Sequence, residues 1–164
     1  MSTMILRPVW RAVLLVLAGL GLIAGTAGVA AAAAPTPSPT GTAGAVTVMT
    51  KTGAHGVYLV DGQGKSLYLF VPDTNGTSTC YGPCAAAWPP LTVPDKPTAG
   101  SGVNAAMLTT VNRTDGSKQV VYNKHPLYYW SGDQKPGDTT GQGLNNLGGL
   151  WWLVAPNGTA ITAK

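Results

Sequence analysis

"LYLFVPD" at residues 67–73 and "LYYWSGD" at residues 127–133 decide the fold. Both read Leu-Tyr-x-aromatic-x-x-Asp. In an extended chain residues i and i+2 share a face. Tyr68 and Phe70 therefore lie together on one side, as do Tyr128 and Trp130, while Leu67, Leu69 and Val71 take the other. Neither side is polar, so each strand is expected to be covered on both faces. The Asp falls after Val-Pro or Ser-Gly, where the strand has ended, and its carboxylate can fix the turn by accepting backbone N–H bonds from "DTNG" or "DQKPG". One reading makes Tyr68, Phe70, Asp73 and Tyr128, Trp130, Asp133 an aromatic core pair with a turn-capping acid. The other makes each Tyr/Asp pair the lining of a ligand groove. Duplication favours the structural reading, because a catalytic site is usually needed once.

Working outward, the repeat extends beyond the two strings. "VTVMTKTGAHGVYLVDGQGKSLYLFVPD" (46–73) aligns with "LTTVNRTDGSKQVVYNKHPLYYWSGD" (108–133), each reading as three short strands and two turns. Asp115-Gly116 between β-rich runs is a hairpin signal. After each motif Asp comes an irregular loop that leads to a Trp, in "AAAWPPLTV" and in "GGLWWLVAPNG". The chain thus holds repeat 1 (46–96) and repeat 2 (107–158), joined through "PTAGSG" at 97–102. Gly and Pro recur throughout, and the one helical turn predicted lies near "CAAAW". The expectation is an all-β fold: an antiparallel small sandwich or barrel of about eight strands with pseudo-twofold symmetry. One copy could not close its own core, so both are expected to form a single domain, 46–160.

The N-terminal segment reads as an export signal. Arg7 and Arg11 precede an uncharged, mostly apolar run, and Ala30 to Ala34 offers small-x-small cleavage positions. Residues 1–34 are read as a signal peptide; a retained anchor is the rival reading, since the uncharged stretch is long enough to span a bilayer. Residues 35–45, beginning "PTPSPTGT", have the composition of a tether. The whole chain carries +4, but Arg7 and Arg11 hold two of its ten basic charges, leaving eight Lys and Arg against six Asp and no Glu. That thin excess has no basic cluster, so nucleic-acid binding is discounted.

Chemistry-bearing residues are few. Cys80 and Cys84 are the only cysteines. An exported chain with an even count favours a disulfide between them, worth about 2 kcal/mol for so small a loop. Laying Asp73 on Asp133 places Thr140 and Leu144 opposite the two cysteines, so the second copy has no bridge. His55 and His125 lie at predicted turns; His125 is a weak metal candidate beside the cysteines. No Gly-x-Ser-x-Gly string occurs, and "GDTTGQGL" lacks the P-loop Lys. No catalytic residue and no cofactor is assigned. Trp88, Trp151 and Trp152 flank the long loops. Adjacent Trp151 and Trp152 must face opposite sides of a strand, so one is core and the other is a candidate exposed ring for a sugar or a partner surface, with Trp88 and Asp138 grouped as further ligand-binding candidates; the alternative has both tryptophans covered by the other repeat.

Taken together, "YLFVPD", "STCYGPCAAAWPPL", "RTDGSKQVVYNKHPLYYW" and "GDTTGQGL" with "GGLWW" resemble a bacterial family of secreted and lipoprotein repeats that carry a Tyr-x4-Asp motif and have no established activity. The resemblance runs from about 46 to 158. It implies export and cell-envelope association and supplies no catalytic residues. This chain lacks the acylated Cys of the lipoprotein members. A secreted or cell-surface location follows, with an envelope glycan or protein partner and membrane contact only through the N-terminal segment. The leading reading is a non-enzymatic binding or structural module; the alternative is a redox or metal-handling protein using Cys80, Cys84 and His125.

Overall fold

The computed structural model describes residues 45–163; residues 1–34, read above as a signal peptide, and most of the tether 35–45 lie outside the described residues. The first repeat opens with a hairpin of β1 (Thr47–Gly53) and β2 (Gly56–Asp61), in register from Val48 opposite Asp61 to Gly53 opposite Gly56. Strand β3 (Tyr68–Phe70) stops two residues short of Pro72, which has no N–H to continue a ladder. Pro83 then starts the short helix α1 (Pro83–Ala87), where its missing donor costs nothing. Strand β4 (Thr98–Ala99) lies parallel to β1. In the second repeat β5 (Leu108–Asn112) and β6 (Lys118–Tyr122) form the equivalent hairpin. Its loop closes through the Arg113 N–H on the Ser117 carbonyl, and Gly116 supplies the required left-handed residue at φ 84°. Strands β7 (His125–Pro126), β8 (Asn145–Asn146) and β9 (Gly149–Leu153) complete the chain.

The fold is all-β, as the patterning predicts. It is arranged as three three-stranded sheets, ordered β2-β1-β4, β3-β9-β8 and β5-β6-β7. These do not close into a barrel. Beyond the two hairpins only β9 is longer than three residues, and strands of two or three residues cannot carry the stagger a closed barrel demands. Pairing is antiparallel except between β1 and β4. That exception falls in "PTAGSG": the segment expected as a plain connection also covers the outer edge of β1, through Thr98 N–H to Val46 O and Gly100 N–H to Val48 O.

The two repeats complete one another's strands. β3 of the first repeat pairs with β9 of the second, with Phe70 opposite Trp151. Residues 127–131 of the second repeat pair with 87–91 of the first, through Leu91 N–H to Leu127 O, Tyr129 N–H to Pro89 O and Ser131 N–H to Ala87 O. At the centre Tyr68 and Tyr128 exchange backbone bonds, each N–H to the other's carbonyl at 2.9 Å. This reciprocal bridge marks the pseudo-twofold axis.

The core follows the parity of the motif strands. Tyr68, Phe70, Tyr128, Trp88, Trp151 and Leu153 form one buried cluster. Leu67, Leu69 and Leu127 join Val48, Leu59, Val120 and Trp152 in another. Val71, expected to be covered, is 50% exposed because the strand has already ended. Trp151 and Trp152 do face opposite sides, yet the proposed exposed ring is absent. Trp151 is 0% and Trp152 8% exposed, since each side of β9 meets a different core cluster.

Candidate functional site

The motif side chains converge on the axis. Tyr68 donates its hydroxyl proton to Asp133 Oδ2 at 2.7 Å, and Tyr128 donates to Asp73 Oδ2 at 2.5 Å. Each repeat's Tyr thus bonds the other repeat's Asp. The second oxygen of each carboxylate ties down its own loop. Asp73 Oδ1 accepts the Thr79 N–H at 2.7 Å and the Thr79 hydroxyl at 2.6 Å. Asp133 Oδ1 accepts the Thr140 N–H at 2.9 Å and the Thr140 hydroxyl at 2.7 Å. The acids therefore cap a loop six or seven residues downstream rather than the adjoining "DTNG" and "DQKPG" turns. Burial, reinforced by the neighbouring carboxylate, pushes the Tyr68 and Tyr128 phenols well above their usual range. Tyr129 is raised in the same way, with its hydroxyl on Asp61 at 2.9 Å.

Beside the two tyrosines runs a row of four packed rings. Trp88 and Trp151 lie face to face across the axis, centroids 3.9 Å apart and planes 1° from parallel. Phe70 stacks on the outer side of Trp151 at 4.1 Å, and Trp130 packs on the outer side of Trp88 with centroids 4.3 Å apart and planes tilted by 34°. Tyr68 and Tyr128 meet Trp88 and Trp151 edge-on, at 5.3 and 5.2 Å. Both indole N–H groups are satisfied on Asn146, Trp88 on its side-chain oxygen and Trp151 on its carbonyl. Neither ring presents a face to a ligand. Asp138, grouped with them as a binding residue, is occupied elsewhere: its Oδ2 accepts the Gln134 and Lys135 N–H groups of its own turn.

A buried polar network that sequence reasoning missed joins the hairpin of the second repeat to the cysteine loop of the first. Arg113, 4% exposed, donates from Nη1 to Ser78 Oγ and to Gln119 Oε1, and from Nη2 to the Cys80 carbonyl, each at 2.7 Å. Tyr128 gives its proton to Asp73, so Ser78 is the donor in its 2.7 Å contact with the Tyr128 oxygen. Gln119 Nε2 reaches the Leu127 carbonyl. The string "RTDGSKQ" holds the signal. Arg113 and Gln119 flank a hairpin turn, and the Asp115 between them, at its exposed tip, is pushed down to about 2, chiefly by its hydrogen bonds from Ser117.

Cys80 and Cys84 are joined as a disulfide, Cα atoms 5.2 Å apart, so neither offers a free thiolate. His125 sits on β7, half-buried, with no partner for Nδ1 among the described residues; burial pushes its pKa down. Among the described residues no three His, Cys, Asp or Glu side chains stand close enough to hold a metal ion. Among the described residues four large apolar side chains are exposed: Val71, Leu147, Val57 and Leu150, at 50, 45, 42 and 36%; Val57 lies apart, on β2. Val71 and Leu150 are cross-strand neighbours, through the Val71 N–H on the Leu150 carbonyl, and Leu147 stands at the tip of the β8–β9 hairpin. Leu147 holds φ 50° and Gly148 φ 96°. A two-residue turn with both angles positive favours Asn-Gly, and a Leu there is strained.

The model of a family described as a secreted repeat of unknown function matches residues 49–92 and again 109–155. No curated protein and no solved structure matches the chain.

Proposed function

This chain belongs to that family of secreted repeats, and from that premise we propose that it is a non-enzymatic extracellular module that binds an envelope protein through the apolar edge formed by Val71, Leu147 and Leu150. The observation that carries the reading is the complete internal use of the motif. Both tyrosines are 0% exposed, each motif carboxylate receives three donors from within the fold, and Trp88, Trp151 and Trp152 are core. What remains for contact is the surface, where three large apolar side chains gather at one hairpin end. Leucine and valine suit a protein surface; a sugar ring would want an exposed aromatic face with polar neighbours. The left-handed Leu147 supports the same reading. Holding it there costs roughly 1–2 kcal/mol against Gly, a strain of the kind that persists at functional sites.

The test is saturable binding of the purified exported chain to isolated envelopes of its host, with and without protease pretreatment of those envelopes. Protease is expected to abolish binding. Replacing Val71, Leu147 and Leu150 together by Ser, Asn and Ser is expected to weaken it about tenfold or more. The single change Leu147→Asn should weaken binding while stabilising the fold, since Asn accepts the left-handed angle. Binding that never saturates, or that the triple variant leaves unchanged, overturns the reading.

A further inference from the structure

β1 and β5 occupy equivalent places in the two repeats, yet among the described residues only β1 has its outer edge covered. On β1 that edge is taken by residues 98–101, with Thr98 N–H on Val46 O, Gly100 N–H on Val48 O and Thr50 N–H on Ser101 O. On β5 the hydrogen bonds to β6 fall at odd-numbered residues, as the flanking bonds Asn123 N–H to Met107 O and Arg113 N–H to Ser117 O fix the alternation. The Leu108 carbonyl and both backbone groups of Thr110 and Asn112 therefore face away from β6, and none has a hydrogen-bond partner among the described residues. The strand, "LTTVN", has no charge or proline, the devices that blunt an exposed edge.

Two hollows meet at this edge. One, of about 360 Å³, is bounded by Val111 and Val121 and by the turn residues Asn75 and Lys124. The other, of about 390 Å³, is bounded by Leu108, Lys96 and Pro97. Thr109 and Thr110 line both. Val111 and Val121 belong to one face of the hairpin and Leu108 to the other, so the hollows lie on opposite sides of the open edge. Each holds one lysine and no carboxylate. Lys124 is fixed there against its backbone preference. It takes φ 67° in the two-residue turn between β6 and β7, where glycine is favoured, and its carbonyl accepts the Gly76 N–H at 2.8 Å.

We propose that the β5 edge takes an extended segment of an acidic protein partner as an added strand, in the place that residues 98–101 take on β1. The segment's backbone meets the Leu108 carbonyl, both groups of Thr110 and the Asn112 N–H. Consecutive side chains of a strand point to opposite faces. Neighbouring residues of the segment therefore enter the two hollows, where a carboxylate on one side meets Lys124 and a carboxylate on the other meets Lys96. Backbone bonds supply the affinity and the hollows the selectivity, as in other cases of strand addition. A second copy of this chain answers the edge less well, because its own "LTTVN" brings no carboxylate to either lysine. The surface shares no residue with the apolar edge of Val71, Leu147 and Leu150, so it is independent of the reading given above.

Two end-blocked peptides test this, Thr-Val-Glu-Asp-Val-Thr-Val and its Gln-Asn counterpart, titrated into the purified exported chain and read by amide chemical shift and hydrogen exchange. The acidic peptide is expected to bind saturably, to shift and protect the Thr110 and Asn112 amides, and to bind about fivefold or more tighter than the neutral one. Thr110→Pro removes the central donor where β6 needs none. It should abolish binding while leaving the Val121 amide on β6 protected. Lys96→Ala with Lys124→Gly should bring the acidic peptide down to the affinity of the neutral one, and glycine suits the left-handed turn, so the fold is kept. Equal affinity of the two peptides for the unaltered chain overturns the proposal. So does the absence of binding, or binding that Thr110→Pro leaves unchanged. A Thr110 amide already protected without peptide overturns it too: protection that is independent of protein concentration gives the edge to this chain itself, and protection that rises with concentration gives it to a second copy.

Discussion

Replacing Tyr128 by Phe removes one oxygen atom and leaves two buried groups short of a partner. Asp73, 3% exposed, loses one of its three donors, and Ser78, 6% exposed, loses the acceptor for its hydroxyl proton. A hydrogen bond to a charged group contributes about 1.5–3 kcal/mol, and an orphaned buried hydroxyl costs about 1 kcal/mol or more. The expected loss is therefore about 2.5–4 kcal/mol, or roughly 10 °C or more in Tm for a domain of this size. Tyr68→Phe is the internal control. Its partner Asp133 is only half-buried, so water can replace the phenol there, and the buried Gly141 N–H loses only a long 3.3 Å contact, so the loss should be about 1–2 kcal/mol. Urea unfolding followed by tryptophan fluorescence reads both, with unchanged m-values required for the comparison. A Tyr128→Phe effect within about 0.5 kcal/mol, or one smaller than that of Tyr68→Phe, refutes the claim that the cross-repeat Tyr–Asp bonds carry stability.

Three other outcomes follow from the same geometry. Tyr68, Tyr128 and Tyr129 have folded pKa values raised above the unfolded value of about 10, so the unfolded chain loses protons first and the stability they contribute, whole below pH 10, is lost as pH rises beyond it. Phenolate absorbance should show Tyr81, lowered chiefly by its hydrogen bonding with Thr114, ionising first, and these three only as the fold opens; a single smooth titration of all six tyrosines in a folded protein contradicts this. Arg113→Met leaves Gln119 Oε1 and the Cys80 carbonyl without a donor and Ser78 with Tyr128 alone, and should cost about 3–5 kcal/mol by denaturant unfolding, against less than about 1 kcal/mol for Asp115→Asn at the exposed end of the same pair. Thiol titration of the native protein should find no free thiol, and Cys80→Ser with Cys84→Ser should cost about 2 kcal/mol by the loop-closure relation while keeping the fold; two reactive thiols per native chain contradict the closed bridge.

Much of the fold is legible in the sequence because it is written in local periods. The parity of "LYLFVPD" separates Tyr68 and Phe70 from Leu67 and Leu69, and the two core clusters divide along that line. The single helical turn, the hairpin at Asp115-Gly116 and the doubling of the unit are also local signals. The exchange between repeats is not local. Tyr68 meets Asp133 and Tyr128 meets Asp73, partners in different copies, and nothing in residues 67–73 says which copy completes the strand. The expected exposure of one of Trp151 and Trp152 fails for the same reason: parity fixes which way each ring points, while burial depends on what the other repeat places there. The motif acids illustrate the limit of turn chemistry. A carboxylate after a strand suggests an adjoining Asx turn, but the irregular loop folds back to bring Thr79 and Thr140 to it instead.

The central claim is that each repeat's motif strand is completed by the other repeat, so that neither half is a folding unit. Expressing residues 45–103 and 104–164 separately and then mixing them tests it most directly. Each half alone is predicted to lack the near-ultraviolet circular dichroism of the Trp88–Trp151 stack, and an equimolar mixture is predicted to recover it with the fluorescence of the intact chain. A half that folds cooperatively by itself, with native-like chemical shifts at Tyr68 or Tyr128, would contradict the account.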